Sequence, residues 1–257
     1  MSNKKGAAVA EETAVATISA INQALAVAEG ADAKDLRGKE NIDLDKLILP
    51  RIAPAQKTSP EIDSSSDRFI DGLKLYQMFN SLTGEVYGNG PLKFAVIKTL
   101  PFRAMQFDGN QNVVDFNVPA GDPRLQFTTD EAGNRVKPIA TEFKEYLVVL
   151  EDGSVAALSF KSTQMKVAAK LDSLLTFRKG ASWLGLFSIT SKGKTFAGGA
   201  ATQFNILPAG PTPAHIAQLA EEVYENTKGR EIEVDKATSA ASDEGPAEPG
   251  SNDGVPF

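Results

Sequence analysis

The chain has 257 residues and a mass of 27.3 kDa, with 42% apolar and 23% charged residues, which is ordinary for a globular protein. It contains no cysteine and one histidine, which excludes disulfides, thiolate chemistry and zinc sites built on several His or Cys ligands. The formal net charge is −6, a value that by itself argues against nucleic-acid binding.

The first segment, residues 1–40, is rich in Ala and Glu and has a weak apolar stripe at Ile18, Ile21 and Leu25. Because most of that stripe is alanine, a helix here would bury little surface. We therefore expect a flexible or marginally helical arm. The arm has no long apolar run, so we expect neither a secretory signal nor a membrane-spanning helix.

The body, residues 41–230, is predicted to consist mainly of strands. Branched and aromatic residues between turn signals predict strands over 69–79, 92–100, 102–108, 113–118 and 124–129. A hairpin is predicted over 142–150 and 154–160, and two closing strands over 184–190 and 194–209, with a bend at Gly198 and Gly199.

Two helices are predicted within this body. Ser162 or Thr163 could cap a helix that runs to Phe177, and Thr212 could cap a second one that Gly229 ends. Many short strands with few helices indicate a mainly β fold with helical additions, built on a small closed or partly open barrel.

The charge is distributed unevenly along the chain. Residues 1–49 carry a net charge of −2, residues 50–210 carry +3, and residues 211–257 carry −7. The stretch from residue 158 to 207 contains seven basic residues and one acidic residue, Asp172, which gives it a net charge of +6. A basic body followed by an acidic end is typical of a protein with an interaction tail.

Aromatic residues alternate with these basic residues, as binding to a single strand of nucleic acid requires. Cationic side chains neutralise phosphates, and exposed rings stack on unpaired bases. The predicted binding set is Lys161, Lys166, Lys170, Arg178, Lys179, Trp183, Lys192, Lys194 and Phe196. In the alternative interpretation, Phe187 and Phe204 belong to the core and the lysines form a solvated face. For Trp183 we expect exposure.

No catalytic residue, metal or cofactor is predicted. Gly193, Lys194 and Thr195 resemble the end of a phosphate-binding loop, but Ser188 stands where that loop needs a glycine. Asp63, Asp67 and Asp71 recur every four residues and are interpreted as solvated surface, and His215 as a surface residue.

The last segment, residues 231–257, is predicted to be a disordered acidic tail, since residues 237–257 contain four acidic residues and no basic ones. Its end resembles the C-terminal tip of bacterial single-stranded DNA-binding proteins and functionally similar phage proteins. That resemblance implies that Asp253, Val255, Pro256 and Phe257 bind replication or recombination partners. NDGVPF is less acidic than the usual tip of that family.

Three segments of the body resemble a group of tailed-phage proteins that are generally regarded as single-stranded DNA-binding. They are LPRIAPAQKTSPEI (49–62), NSLTGEVYG (80–88) and SFKSTQMKVAAKL (159–171). The resemblance implies an OB-like barrel whose groove lies beside Ser162, Thr163 and Lys166.

The first hypothesis is thus a non-enzymatic protein that binds single-stranded DNA in phage replication or recombination. We expect it in the host cytoplasm and without membrane contact. A homodimer is left open. The alternative is a structural or accessory phage protein whose barrel binds another protein. A nuclease or recombinase subunit is a third idea, but the sequence lacks an acidic metal cluster. If the basic stretch is not the interface, the groove is expected near Arg51, Lys57, Arg103 and Arg124.

Overall fold

The computed structural model describes residues 48–108, 112–196, 199–229 and 233–234. These residues form fourteen strands and two α-helices, together with short 3-10 turns. The strands are β1 (Ile48–Leu49), β2 (Arg51–Pro54), β3 (Met78–Asn80), β4 (Val86–Gly88), β5 (Leu92–Thr99), β6 (Arg103–Phe107), β7 (Val113–Asp115), β8 (Thr128–Thr129), β9 (Arg135–Val136), β10 (Ala140–Leu150), β11 (Val155–Lys161), β12 (Gly185–Phe196), β13 (Gly199–Pro211) and β14 (Glu233–Val234). The helices are α1 (Met165–Thr176) and α2 (Ala214–Thr227).

Ten of these strands form one sheet, and eight of them follow the order β13-β12-β5-β10-β11-β2-β3-β4. The strand β10 is long enough to pair with β6 along its first part and with β5 along its last part, while β11 occupies its other edge. β7 extends the sheet beyond β6. Two small pairs lie outside it, β8 with β9 and β1 with β14.

The sheet curls into a half-barrel because loops next to β4 contact β12. The backbone N–H of Ser191 donates to the carbonyl of Asn89 over 3.0 Å, and the Asn89 amide donates back to the Ser191 carbonyl over 3.2 Å. Ser191 Oγ also donates to the carbonyl of Tyr76 over 2.6 Å. A Cβ at Gly90 would lie 2.4 Å from the carbonyl oxygen of Ile189, so this approach requires glycine.

Each face of the sheet packs against one helix, because side chains alternate along a strand. On β5, Phe94 and Val96 point to the inner face and Ala95 to the outer one. Helix α1 covers the inner face with Ala168 and Leu171. Helix α2 covers the outer face with Ile216 and Ala220. Each large apolar side chain buried in this way contributes about 1.5–3 kcal/mol.

The prediction of a mainly β fold with helical additions is confirmed. The predicted hairpin is the antiparallel pair β10 and β11, and the predicted closing strands are the pair β12 and β13. The helix expected to reach Phe177 is α1, which ends one residue earlier at Thr176.

Three local predictions were wrong. The segment 69–79 is a strand only from Met78, because Gly72 and Tyr76 have positive φ angles of 78° and 69° and the chain turns there. The segment 124–129 is split between a 3-10 turn and the two-residue β8. Neither helix has the predicted cap, since α1 follows a 3-10 turn over Ser162–Gln164 and α2 starts behind Pro213 without a side-chain cap.

The predicted arm and most of the predicted tail lie outside the described residues. Within the tail segment, Glu233–Val234 forms β14, pairs in parallel with β1, and places Val234 in the apolar cluster of the outer face. In the part of the chain that the structure describes, no helix is long and apolar enough to cross a membrane.

Candidate nucleic-acid interface

One line of exposed side chains runs along α1 and its last turn. Lys166, Lys170, Ser173 and Phe177 follow one another at spacings of four, three and four residues, which places them on one side of a helix. All four are exposed, and the Phe177 ring is 87% exposed. The line is about 16 Å long, at 1.5 Å per residue. We call these four residues the α1 stripe.

The opposite side of the helix explains why the stripe faces outwards. Ala168 and Leu171 are buried in the inner core, and Leu174 and Leu175 pack against it. Helix formation ends at Phe177, whose backbone N–H donates to the Ser173 carbonyl over 3.0 Å. The core side chains therefore fix the rotation of α1, and that rotation leaves the side chains of Lys166, Lys170 and Phe177 on the exposed side of the helix.

Lys170 connects the stripe to the β12–β13 hairpin. Its Nζ donates a 2.7 Å hydrogen bond to the carbonyl oxygen of Ile206 on the edge strand β13. Gln203, which pairs with Lys192 on β12, lies three residues from Ile206, or roughly 10 Å along the strand. Lys192 and Lys194 are exposed on that hairpin. The basic residues of the helix and the hairpin thus lie on adjoining elements.

Asp172, the one acidic residue between residues 158 and 207, is held against β10. The hydroxyl of Tyr146 donates to Asp172 Oδ1 over 2.8 Å, and Lys144 Nζ lies 3.2 Å from Asp172 Oδ2. Burial raises the pKa of Tyr146, and its hydrogen bond to the Asp172 carboxylate raises that pKa further. Since α1 presents its two lysines elsewhere, the acid does not interrupt the stripe.

Trp183 does not lie beside the stripe. Its ring is half-buried, stands 5.0 Å from the ring of Tyr224 on α2, and packs against the outer-face core. Its expected exposure was therefore wrong. Arg178 is also half-buried, with a side-chain hydrogen bond of 3.1 Å to the Leu184 carbonyl. Both side chains pack where the chain crosses from α1 to β12.

The remaining aromatic residues divide between core and surface. Phe187 and Phe204 are buried in the inner core, as the alternative interpretation predicted, and Phe160 is buried there too. Phe177, which the predicted binding set omitted, has the most exposed ring among the described aromatic side chains of this stretch. Its spacing from Lys166 and Lys170 was the signal in the sequence that could have identified it.

The last members of the predicted set lie at three different places. Lys179 is exposed just beyond the stripe, and Lys161 is half-buried at the end of β11. Phe196 ends β12, and its side chain lies outside the description.

Lys161 lines a small polar cleft where β2, β10 and β11 meet. The free volume of the cleft is about 30 Å³. Its polar lining residues are Arg51, Gln56, Ser59, Glu61, Ser159, Lys161 and Gln164. They come from the segments 49–62 and 159–171, which the order β11-β2-β3-β4 brings next to each other and to segment 80–88. Sequence reasoning did not connect Gln56 and Gln164 because 108 positions separate them.

Two arginines of the alternative groove are engaged in ion pairs. Arg103 binds the buried Glu145 through Nε at 2.7 Å and Nη2 at 2.5 Å. Arg124 binds Asp122 and Asp115, and its side-chain hydrogen bond to Asp122 lowers the pKa of that carboxyl. Lys57 is exposed, whereas Arg51 is buried at the cleft.

The other chemical candidates remain surface features. Asp63, Asp67 and Asp71 are exposed, and hydrogen bonds from the Ser65 backbone and hydroxyl lower the pKa of Asp63. Among the described residues, no group of three or more His, Cys, Asp or Glu side chains could hold a metal ion. His215 is exposed in the first turn of α2.

Residues 17–100 match the model of a family described as Pam3 phage gp34-like protein. This match indicates a phage protein. It includes β1 to β5 and the residues Arg51, Gln56, Ser59 and Glu61 of the cleft, and it ends before α1. No curated protein and no solved structure matches the chain.

Proposed function

We propose that this phage protein binds single-stranded DNA without acting as an enzyme, and that it serves DNA replication or recombination. The observation that carries the proposal is the α1 stripe, in which two exposed lysines are followed by a ring that is 87% exposed. Among the large apolar side chains that the structure describes, Phe177 is the most exposed.

The stripe combines the two kinds of contact that a single strand uses. Lys166 and Lys170 would neutralise phosphates and release counterions, which makes binding depend on salt. Phe177 would stack on a base at about 1–3 kcal/mol, with little preference among bases because each has a π-face. Lys179 would extend the positive surface past the C-terminal end of the helix, and Lys192 and Lys194 would extend it onto the adjoining hairpin.

The rest of the proposal extends the same interpretation to the fold and the tail. The curled sheet with its two helices supports an OB-type barrel, a fold that often binds nucleic acids. In this proposal Asp253, Val255, Pro256 and Phe257 recruit replication or recombination proteins of the phage or its host, in the host cytoplasm. The resemblance of the C-terminal tip to that of single-stranded DNA-binding proteins supports this part.

One observation favours the second candidate, a structural or accessory phage protein that binds another protein. Large apolar side chains are exposed at six positions between residues 102 and 139, where β6 to β9 lie. They are Phe102, Val114, Phe116, Phe127, Val136 and Ile139, with exposures between 41% and 63%. Where such side chains lie together on a surface, they mark protein–protein contact sites.

A binding experiment separates the two candidates. Fluorescence anisotropy with labelled oligo-dT, duplex DNA and RNA of equal length is measured for the full chain at several salt concentrations. We expect preference for the single strand and a linear fall of log affinity with log salt concentration. Lys166→Gln should weaken binding and reduce the slope, whereas the matched control Lys74→Gln, also exposed but in the segment before β3, should not.

Equal affinity for duplex and single strands, or no binding at low salt, would reject the DNA-binding proposal. Loss of a protein contact in Phe116→Ser or Ile139→Ser, with no DNA binding in the unmodified chain, would establish the second candidate.

A further inference from the structure

Among the described residues, the outer half of the β12–β13 hairpin lies beside no further strand. β12 pairs with β5 only from Leu186 to Ile189, whereas its pairing with β13 continues to Phe196. In the part of the chain that the structure describes, no strand pairs with the other edge of β13. We call residues 190–196 and 199–205 the outer hairpin. Two strands by themselves are marginally stable in water, so the position of the outer hairpin depends on contacts with the rest of the protein.

Hydrogen bonds supply such contacts at the base of the outer hairpin. Ser191 is 4% exposed. It donates its backbone N–H to the Asn89 carbonyl over 3.0 Å and its hydroxyl to the Tyr76 carbonyl over 2.6 Å. The Asn89 amide donates to the carbonyls of Ser191 and Tyr76, each over 3.2 Å. One serine of β12 is thus connected to the segment before β3 and to the segment after β4.

An aromatic ring packs on the outer hairpin two residues further along β12. A Cβ at Gly193 would lie 2.2 Å from Cε2 of Tyr76, so this approach of the ring requires glycine. Thr202, the cross-strand neighbour of Gly193, is 1% exposed. Tyr76 has a positive φ of 69°, which a nonglycine residue rarely adopts, and the hydrogen bonds to its carbonyl hold it there. We call Tyr76, Asn89, Ser191 and Gly193 the hairpin latch.

The hairpin latch lies on the inner side of β12 and leaves the basic side chains on the other side. Because side chains alternate along a strand, Gly193 shares its side of β12 with Ile189 of the inner core. Lys192 and Lys194 therefore lie on the outer side, where both are exposed. We propose that the hairpin latch positions Lys192 for a DNA strand, with Ser191 as a positioning residue and not a DNA contact.

This inference deepens the proposed function, on which its assignment to DNA rests. Positioning affects binding because a loose hairpin is competent in only part of its orientations. The apparent affinity then falls by the fraction of molecules in which Lys192 has the binding orientation. Removing one hydrogen bond of the latch should reduce this fraction about threefold to tenfold.

The first measurement is hydrogen exchange of the backbone amides in the full chain, followed by NMR. In the unmodified chain the Ser191 amide should exchange slowly, since it donates to Asn89. Ser191→Ala and Gly193→Ala should speed exchange in the outer hairpin and leave β10 and β11 unchanged. The matched control Ser188→Ala lies on the same strand, with its hydroxyl 3.5 Å from the Leu207 carbonyl, and should have no such effect.

The second measurement separates positioning from a merely structural role. Anisotropy with oligo-dT is measured for Lys192→Gln and Lys166→Gln, each in the unmodified chain and in the Ser191→Ala chain. Ser191→Ala should weaken binding about threefold to tenfold. In that chain Lys192→Gln should cause a smaller loss, because Lys192 is no longer held in place. Lys166→Gln, on α1 and outside the hairpin, should cause the same loss in both chains.

The outcomes keep the latch and the function apart. If the Ser191 amide exchanges rapidly in the unmodified chain, or if neither variant speeds exchange in the outer hairpin, the latch is rejected. If exchange rises but Lys192→Gln causes the same loss in both chains, the latch exists and its positioning role is wrong. If the unmodified chain does not bind oligo-dT, the DNA-binding function and the positioning role fall together, while hydrogen exchange still decides whether the latch exists.

Discussion

Lys170 on α1 donates a 2.7 Å hydrogen bond to the backbone carbonyl of Ile206 on β13, so one lysine of the α1 stripe also fastens the helix to the sheet. Lys166, four residues earlier, is exposed and is not part of that connection. The two lysines of one stripe therefore have different structural roles.

The first prediction separates these roles. Lys170→Met should lower the free energy of unfolding by about 1 kcal/mol, because a hydrogen bond to a carbonyl is lost. Lys166→Met should leave stability unchanged. Both variants should weaken binding to oligo-dT at low salt. Urea unfolding and anisotropy titrations measure the two quantities, and equal stability of the two variants would show that the Lys170 contact contributes nothing.

The second prediction concerns the aromatic residue that stacks on DNA. Phe177→Ala should weaken oligo-dT binding by about 1–3 kcal/mol, whereas Trp183→Phe should leave it unchanged because Trp183 packs on Tyr224. Phe177→Trp in the Trp183→Phe chain places one tryptophan on the stripe. Its fluorescence should be quenched by oligo-dT and restored by salt. If oligo-dT quenched Trp183 in the unmodified chain but did not quench the tryptophan placed at position 177, this assignment would be contradicted.

The third prediction compares two half-buried arginines, of which Arg103 pairs with a buried carboxylate and Arg124 with more accessible ones. Arg103→Met leaves the buried carboxylate of Glu145 without its cationic partner, with only the Ser159 hydroxyl still donating to it, which should destabilise the protein by about 3–5 kcal/mol. Arg124→Met removes ion pairs at the surface and should change stability little. Chemical unfolding of both variants measures the difference, and a small effect at Arg103 would mean that Glu145 finds another partner.

The fourth prediction is a pH dependence above neutrality. Burial raises the pKa of Tyr87 to about 12. In the unfolded chain a tyrosine titrates near pH 10. The neutral hydroxyl therefore contributes stability that is complete below about pH 10 and is lost as the pH rises towards 12. Between these pH values the Tyr87→Phe variant should lose less stability than the unmodified chain. Urea unfolding at each pH measures the stability, and ultraviolet titration of tyrosinate measures the pKa.

The fifth prediction concerns the acidic end of the chain. A chain ending at Lys236 should bind oligo-dT more tightly, most clearly at low salt, because the tail competes with DNA for the basic surface. Replacing Asp243, Glu244, Glu248 and Asp253 by their amides should have the same effect. Deleting Phe257 alone should leave DNA affinity unchanged and abolish capture of partner proteins from infected cells. If these variants bound oligo-dT with unchanged affinity and captured the same proteins, the tail would neither compete with DNA nor recruit partners.

The sequence by itself determined the local elements. Alternation over 142–150 and 154–160 specified the hairpin, and the apolar spacing of Val167, Leu171 and Leu174 specified α1 with its charged outer side. These features depend on residues a few positions apart, whose periodicity decides which side is buried.

Only the tertiary structure decided which surface each exposed side chain joins. Trp183 is half-buried because Tyr224 on α2 packs against it. That helix begins thirty-one residues after Trp183 in the sequence. Gln56 and Gln164 line the same cleft because β2 pairs in parallel with β11, a pairing that neither strand encodes alone. Contacts between distant segments follow from the packing of the whole core, and local periodicity carries no information about them.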